Sequence, residues 1–309
     1  MPGLTPPGVL VIVGATATGK TALSLHVAQR LGSPILNADS RQVYQEMDIG
    51  TAKPTPEERR LCPHELWDLV PPTVQLTLAD YQRLAQQRIA HWHTQDRIPL
   101  LVGGTGLYVQ SLTDGLGIPP VPPHPTLRQS LYTLWQQGLA SALLRQVDAE
   151  AAIQIHPHDA VRTVRALEVF YVTGIPITQW QRRDPPTYPV VLVGLACDRD
   201  VLHERIARRT RQMLEQGWIA EVEGLRAKYG PELPLLSSLG YGEIGAYLDG
   251  QLSREAMIAT INQKTRHLAK QQTTWFRHKL YGIRWIDSQA PDLVDQVWAA
   301  MPQAWRNSA

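Results

Sequence analysis

The sequence has few cysteines, no long apolar run and little net charge. Its 309 residues include two cysteines, Cys62 and Cys197, far apart and in no C-x-x-C spacing. Neither a disulfide framework nor a zinc site is indicated, and we expect a reducing, cytoplasmic setting. No apolar run approaches about 18 residues and no basic stretch opens the chain, so we expect neither a membrane span nor a signal peptide. A net charge of +2 indicates a nucleic-acid partner only where basic residues cluster locally.

What the sequence does contain is a glycine-rich segment between an apolar run at 9–13 and a helix-forming run. The residues of this segment are Gly14, Ala15, Thr16, Ala17, Thr18, Gly19, Lys20 and Thr21. The pattern is G-x-x-x-x-G-K-[ST], in which backbone N–H groups and a helix N-terminus surround a phosphate, the lysine adds a charge and the threonine can ligate Mg²⁺. We predict a site for a diphosphate or triphosphate here; the alternative is a glycine-rich turn with a solvated lysine.

Two further polar segments follow predicted strands. Asp39 follows a strand at 34–38, and Thr105 lies in the Gly-Gly-Thr-Gly segment after a strand at 98–102. Ligands of open α/β sheets bind beyond the carboxyl ends of the strands, so both residues are expected beside the phosphate loop. There Asp39 would ligate Mg²⁺, accept a proton or pair with a basic residue, and the Thr105 hydroxyl can donate to an oxyanion. The alternatives are a helix N-cap at Asp39 or Ser40 and a simple tight turn at the glycines.

Proline clusters at 119–125 and 185–189 interrupt this pattern. The sequence between them predicts helices at 127–137, 139–147, 149–155 and 161–173. A strand pattern then resumes at 190–195. We therefore predict an α/β fold with a P-loop NTPase-like parallel sheet flanked by helices. Residues 1–118 and 190–309 would form this core with a basic C-terminal helical region, and residues 119–189 an inserted helical domain.

Several segments carry clustered basic residues. One predicted helix contains Arg205, Arg208, Arg209 and Arg211. A long helix is predicted from 254 to about 276, and the residues between 256 and 284 include no acidic residue. A run whose charges are all positive and which also contains aromatic residues is more typical of a nucleic-acid-binding surface than of an ordinary solvent-exposed face. Arg162 and Arg165 share a helix face but have solvation as an alternative. The segment 44–55 is predicted to be a loop with a short helix, and Lys53 within it either reaches a phosphate or is solvated.

These features leave three functions open. A P-loop kinase would transfer a terminal phosphoryl group, with Asp39 deprotonating a hydroxyl. In a second reaction the phosphate is the leaving group and carbon is transferred to a nucleophile. A third possibility is a non-catalytic RNA-binding protein that uses a nucleotide as a switch.

The order of several motifs distinguishes among these functions. The motifs are the phosphate loop at 14–21, D-S-R-Q-V-Y at 39–44, M-D-I-G-T-A-K-P at 47–54, G-G-T-G-L-Y at 103–108, R-x-x-R-A-L-E at 162–168 and G-Y-G-E at 240–243. Taken together, and over nearly the whole chain, they resemble the tRNA dimethylallyltransferase (tRNA isopentenyltransferase) family. General P-loop kinases share only the first motif.

This resemblance implies transfer of a dimethylallyl group from dimethylallyl diphosphate to N6 of adenine 37, next to the tRNA anticodon, after the base flips out of its stack. Asp39 is then the general base, Thr105 orients the substrates, and Arg209 stabilises the leaving diphosphate with Lys20 and the loop amides. The implied cofactor is Mg²⁺, held partly by Thr21. The implied partner is the tRNA anticodon stem-loop, and we expect a monomer without membrane contact.

The resemblance also implies a set of tRNA contacts. They are Asp39, Ser40, Arg41, Gln42, Thr105, Arg128, Arg162 and Arg165. Val161 stands where many relatives carry glutamine, so we expect the tRNA contact made from this position to be weaker. No cysteine follows Cys197 in this sequence, so we do not expect the C-terminal zinc finger that some relatives carry.

Overall fold

Continuous apolar runs build the central sheet. In the computed structural model, which describes residues 7–307, strand β1 (Val9–Gly14) is buried along its whole length, as in a parallel sheet covered by helices. The other strands are β2 (Ile35–Asn37), β3 (His64–Glu65), β4 (Leu100–Gly103), β5 (Val190–Ala196) and β6 (Arg284–Asp287). The six strands are ordered β3-β2-β4-β1-β5-β6, and all neighbours are parallel. Residues 1–6, on which the signal-peptide expectation partly falls, lie outside the described residues.

Helices connect and flank the strands. They are α1 (Lys20–Leu31), α2 (Pro56–Leu61), α3 (Leu78–His93), α4 (Gly106–Thr113), α5 (Pro125–Gln136), α6 (Ala140–Val147), α7 (Ala149–Gln154), α8 (Ala160–Thr173), α9 (Ile177–Trp180), α10 (Arg199–Glu215), α11 (Trp218–Tyr229), α12 (Tyr241–Leu248), α13 (Arg254–Lys279), α14 (Leu293–Ala300) and α15 (Gln303–Asn307). A 3₁₀ turn covers Pro234–Ser237. The predicted parallel α/β fold is confirmed. Within residues 7–307, no helix is long and apolar enough to cross a bilayer.

The register of the strands brings their carboxyl ends to one edge of the sheet. β1 pairs with β4 on one side, with Leu10 opposite Leu100, and with β5 on the other, with Val11 opposite Leu192. The segments that follow β1, β2 and β4 therefore emerge side by side, which is the usual place for a ligand crevice.

The chain divides into two compact units. Unit 1 comprises the described parts of Met1–Leu76, Arg83–Gln110 and Thr187–Ala309, and unit 2 comprises Thr77–Gln82 and Ser111–Pro186. The sheet belongs to unit 1, and its core contains fully buried side chains of β1 and β4 packed with those of α1, α14 and α15. Burying each such leucine or isoleucine stabilises the fold by about 1.5–3 kcal/mol.

Unit 2 has its own hydrophobic core. Leu131 of α5, Leu144 of α6 and Leu167 of α8 lie at its centre. Helix α8 begins after Asp159, whose carboxylate accepts from the Arg162 N–H (3.0 Å), and ends at Gly174 in the left-handed conformation (φ 71°). The four long helical patterns predicted for this part of the chain each correspond to a helix.

Some elements differ from expectation. The short helix predicted within 44–55 is wrong: these residues, all described, form turns, and α2 begins only at Pro56. The reason is a capping box, in which Thr55 and Glu58 bond to each other's backbone N–H groups and so start a helix at this point. The edge strands β3 and β6 were not predicted, because runs of two and four residues are too short to show an alternating pattern.

Candidate active site

The phosphate loop lies between β1 and α1. Gly19 has a φ of 94°, a conformation that favours glycine, and it allows the chain to turn directly into α1. The Thr18 hydroxyl and the Lys20 ammonium both donate to the Ala15 carbonyl, at 2.8 and 2.7 Å. These bonds fold the lysine over the loop, beside the N–H groups at the start of the helix, and so place positive charge where an anion would bind.

Burial controls the electrostatics of this loop. It lowers the pKa of Lys20 to about 8, while the Asp39 carboxylate raises this pKa and Arg209 lowers it further. Burial also lowers the pKa of Arg209, and Asp39 opposes that shift. Arg209 Nη1 donates to the Thr16 hydroxyl at 2.9 Å, so α10 brings its guanidinium to the phosphate loop. Two partly buried cations thus share one nearby carboxylate.

The three other arginines of the predicted cluster on α10 divide between two faces. Arg205 and Arg208 join Arg209 in lining a cavity of about 660 Å³ on the outer side of the phosphate loop. Arg205 Nη1 donates to the Ser288 hydroxyl at 3.2 Å. Arg211 is exposed and does not line that cavity. The i, i+3, i+4 spacing of the first three explains why they share a face.

Asp39 is held by its own neighbours. Its N–H donates to Asn37 Oδ1 (2.9 Å), and its Oδ1 accepts from the Arg41 N–H (2.9 Å). Asn37 is itself anchored, because its Nδ2 donates to the Leu66 carbonyl at 3.1 Å. Asp39 therefore forms an Asx turn, and the N-cap alternative is wrong, since no helix begins between Asp39 and Thr55.

Thr105 links the loops that follow β2 and β4. Its hydroxyl accepts from the Ser40 N–H (2.9 Å) and donates to the Ser40 hydroxyl (3.2 Å), and its N–H donates to the Ala38 carbonyl (3.1 Å). The side chain is thus occupied in fixing the turn that carries Asp39. Thr105 and Asp39 lie together, as the topology predicted.

Two adjacent cavities meet at this edge of the sheet. The first, about 820 Å³, is lined by Lys20, Thr21 and the loop around 48–68. The second, about 330 Å³, is lined by Ser40, Arg41, Thr105 and several apolar side chains. The residues that line both are Thr16, Asp39, Arg209, Met213 and Gln272. The first cavity, where the predicted phosphate site lies, and the second cavity therefore share one carboxylate and one guanidinium.

The comparisons with known proteins agree with this arrangement. Residues 42–279 match the family model described as IPP transferase, and residues 7–62 match the model described as isopentenyl transferase. The tRNA dimethylallyltransferase of Synechococcus sp. (strain JA-3-3Ab) is 56% identical over 299 residues, covering 97% of this chain and 87% of the relative. This chain belongs to the tRNA dimethylallyltransferase family. The relative from Crocosphaera subtropica, with the same name, is 54% identical over 296 residues, covering 96% and 97% of the two chains.

Solved structures of tRNA dimethylallyltransferases and their relatives share the fold. The tRNA isopentenylpyrophosphate transferase from Bacillus halodurans is 34% identical, with a TM-score of 0.72 and 98% of each chain covered. A eukaryotic dimethylallyltransferase described as acting on tRNA is 26% identical, with a TM-score of 0.80, 91% of this chain and 74% of that chain covered.

The tRNA contacts implied for the 39–42 segment differ in their surroundings. Ser40 and the exposed Arg41 line the second cavity. Gln42 lines the first cavity, and its Nε2 donates to the carbonyls of Thr51 and Ala52 at 2.9 and 3.0 Å. The Gln42 amide nitrogen therefore bonds to the protein's own backbone.

The arginines implied as tRNA contacts in unit 2 differ as well. Arg128 and Arg165 both bind the fully buried Glu168, Arg128 through two bonds of 2.8 and 2.9 Å and Arg165 through one of 2.5 Å. Burial works against ionisation of Glu168, but the bonds from Arg128, the His124 N–H and Arg165 outweigh it and lower the pKa. The Arg162 side chain is 71% exposed, and its Nε lies 3.4 Å from Asp159 Oδ2. Of these three arginines, Arg162 presents its guanidinium most fully to solvent.

Both alternatives expected for Lys53, a phosphate contact and a solvated side chain, are wrong. Its side chain is 1% exposed, so it is not solvated. Its ammonium donates to the Tyr44 carbonyl and to Asp48 Oδ1, both at 2.6 Å, and to Asp68. Because these three acceptors occupy its three protons, Lys53 fixes loops of the protein and does not reach for a phosphate.

Sequence reasoning missed Gln272 of α13. The Thr16 N–H donates to Gln272 Oε1 (2.8 Å), and Gln272 Nε2 donates to the Gly104 carbonyl (3.1 Å). One amide thus joins the phosphate loop to the loop after β4. The only sequence signal was its place in the basic helical run, which does not single it out. Asn37 was missed too, although a polar residue ending a buried strand is a usable signal.

Proposed function

We propose that this protein transfers the dimethylallyl group of dimethylallyl diphosphate to N6 of adenine 37 in the anticodon stem-loop of tRNA and releases diphosphate. The observation that carries the proposal is the pair of cavities that share Asp39 and Arg209. Family membership narrows the chemistry to prenyl transfer. The phosphate loop faces the first cavity, which suits the diphosphate of the donor. The second cavity suits the adenine base after it has flipped out of its stack.

The proposed mechanism needs a general base and groups that stabilise negative charge on the leaving diphosphate. The lone pair of an exocyclic adenine amine is delocalised into the ring, so its proton must leave as the N–C bond forms. Asp39 accepts that proton, because it lies where the two cavities meet. The C–O bond to diphosphate breaks in the same step. Lys20, Arg209 and the loop N–H groups stabilise the charge that develops on the leaving group.

The residues present fit a magnesium ion held jointly with substrate. Mg²⁺ binds one or two protein oxygens together with substrate phosphates and waters. Thr21 lines the first cavity beside Lys20, and its hydroxyl would hold the ion together with the diphosphate. The described residues contain no group of three or more His, Cys, Asp or Glu side chains able to hold a metal. When bound, Mg²⁺ would neutralise charge on the diphosphate.

Other parts of the proposal concern partners and setting. Thr105 orients the 39–41 segment, and Ser40, Arg41, Gln42, Arg128, Arg162 and Arg165 contribute to tRNA binding. We propose that the enzyme acts in the cytoplasm, because a tRNA substrate and the free cysteines Cys62 and Cys197 suit that compartment, and that it acts as a monomer.

A donor experiment tests the proposed function. The protein is incubated with unmodified tRNA and either dimethylallyl diphosphate labelled in the prenyl group or ATP labelled in the terminal phosphate. We expect label in tRNA from the prenyl donor alone, at N6 of one adenine. Label from ATP alone would identify a kinase. RNA binding without either label would indicate a non-catalytic RNA-binding protein.

A further inference from the structure

Glu221 of α11 binds a turn that lies far from it in the sequence. Its Oε2 accepts from the N–H groups of Asp48 (2.8 Å) and Ile49 (2.6 Å), and its Oε1 accepts from the N–H of Gly50 (3.0 Å). The Tyr241 hydroxyl donates to the same Oε1 at 2.7 Å. Charge-assisted bonds of this kind are about twice as strong as neutral ones, so one carboxylate fixes three successive backbone amides.

The aromatic side chains of Trp218 and Tyr241 pack closely against this turn. A Cβ on Gly50 would lie 2.1 Å from Trp218 Nε1 and 2.5 Å from the Tyr241 ring. Burial, followed by the Glu221 carboxylate, raises the pKa of Tyr241 well above its ordinary value. The phenol therefore stays protonated and remains a donor to Glu221.

The same turn separates the two cavities. Asp48 and Ile49 line the first cavity, whereas Gly50 and Thr51 line the second. Lys53 holds the far side of the turn through its bond to Asp48 Oδ1 (2.6 Å). We name residues 48–51 the partition turn. Trp218 and Tyr241, which pack against it, also line the second cavity.

We propose that Glu221 is a positioning residue for prenyl transfer: it holds the partition turn in place and thereby sets the spacing between the donor and acceptor cavities. This inference rests on the proposed function. Glu221 itself lines neither cavity, so it acts through the turn. Displacing a reacting group by about 1 Å costs on the order of 10²-fold in rate, which is the scale of effect expected.

The test compares Glu221→Gln with Glu223→Gln. Glutamine has one acceptor oxygen, and its NH₂ group would face a backbone N–H of the turn. Glu223 lies on the same helix, is exposed, and its substitution changes the charge equally. For Glu221→Gln we expect kcat/KM to fall on the order of 10²-fold, with KM raised for both tRNA and dimethylallyl diphosphate. Glu223→Gln should match wild type.

Measurement of the active fraction separates positioning from folding. If Glu221 only stabilised the fold, the variant would show fewer active molecules, counted by tRNA-binding stoichiometry, with wild-type KM values for both substrates; that result would overturn the inference. If Glu221→Gln does not fold, Tyr241→Phe removes a single donor and should still raise both KM values, by roughly tenfold. Unchanged KM values in Tyr241→Phe would then refute it. Wild-type protein that transfers no prenyl group would refute the proposed function instead.

Discussion

Substitution of Asp39 is the most direct test of the proposed chemistry. Its backbone is fixed by Asn37, and its Oδ1 is already held by the Arg41 N–H. Asparagine retains the Oδ1 acceptor and the shape of the side chain but cannot take a proton. We therefore expect Asp39→Asn to lower kcat by about 10²–10⁴-fold while tRNA affinity changes little.

Single-turnover prenylation and equilibrium tRNA binding check this prediction together. Asp200→Asn is the matched control, because Asp200 is an exposed aspartate at the start of α10. Turnover at the wild-type rate in Asp39→Asn would remove Asp39 from the role of general base. A joint loss of binding and turnover would make it a tRNA contact first.

The lowered pKa of Lys20 predicts that donor binding depends on pH. Burial lowers its pKa to about 8, and a bound diphosphate favours the charged form, so binding takes up a proton as pH rises past this value. Affinity for Mg-diphosphate should be nearly constant below pH 7 and fall through pH 8, reaching about a tenfold loss one unit above the pKa. Isothermal titration at several pH values measures this loss.

A Lys20→Arg variant separates the titration of Lys20 from the titration of the bound diphosphate. Arginine stays charged throughout this range, whereas the ionisation of diphosphate affects both proteins equally. The ratio of wild-type to variant affinity should therefore fall between pH 7 and 9. Parallel pH profiles for the two proteins would show that Lys20 does not titrate in the free enzyme near pH 8.

At the scale of elements, α13 ties the phosphate loop to the end of β4 through one side chain. Replacing Gln272 by alanine leaves the Thr16 N–H and the Gly104 carbonyl without these partners, and each unsatisfied group costs about 1–3 kcal/mol. We expect Gln272→Ala to raise KM for dimethylallyl diphosphate roughly tenfold or more. Gln271→Ala, at an exposed neighbour, should leave KM unchanged, and equal KM values in both variants would contradict the prediction.

Elements differ in how far the sequence predicts them. Strands β1, β4 and β5 and helix α8 were predictable, because long runs carry a clear hydrophobic pattern. The partition turn was not, since its conformation depends on Glu221, which lies 171 residues from Gly50 in the chain. Lys53 illustrates the same limit: a lysine in a loop is ordinarily exposed, and only the folded chain places Asp48 and Asp68 around it.

At the scale of the whole molecule, the candidate site combines local motifs with distant contacts. The phosphate loop and the polar ends of β2 and β4 follow from motif and topology, so their convergence was predicted. The bond between Arg209 and Thr16 spans 193 residues, and that between Gln272 and Thr16 spans 256. The family resemblance implied that Arg209 lies at the phosphate loop, whereas no motif in the sequence specifies the contact of Gln272.

Recognition of tRNA by unit 2 is a prediction at this largest scale. Arg162 is 71% exposed, so neutralising it removes a charge without disturbing the fold, whereas a change at Arg165 would also break its bonds to Glu168 and Val121. If Arg162 contacts a phosphate, Arg162→Gln should weaken tRNA binding and reduce the slope of log affinity against log salt by about 0.7–0.9.

Fluorescence binding titrations at several salt concentrations measure that slope. Arg145→Gln is the control, because Arg145 is an exposed arginine on α6, outside the R-x-x-R-A-L-E motif of α8. A slope that decreases only in Arg162→Gln assigns one released counterion to that side chain. Identical slopes in Arg162→Gln and wild type would make Arg162 a solvated surface residue. An equal decrease in both variants would mean that the basic surface of unit 2 acts collectively, without a specific contact at Arg162.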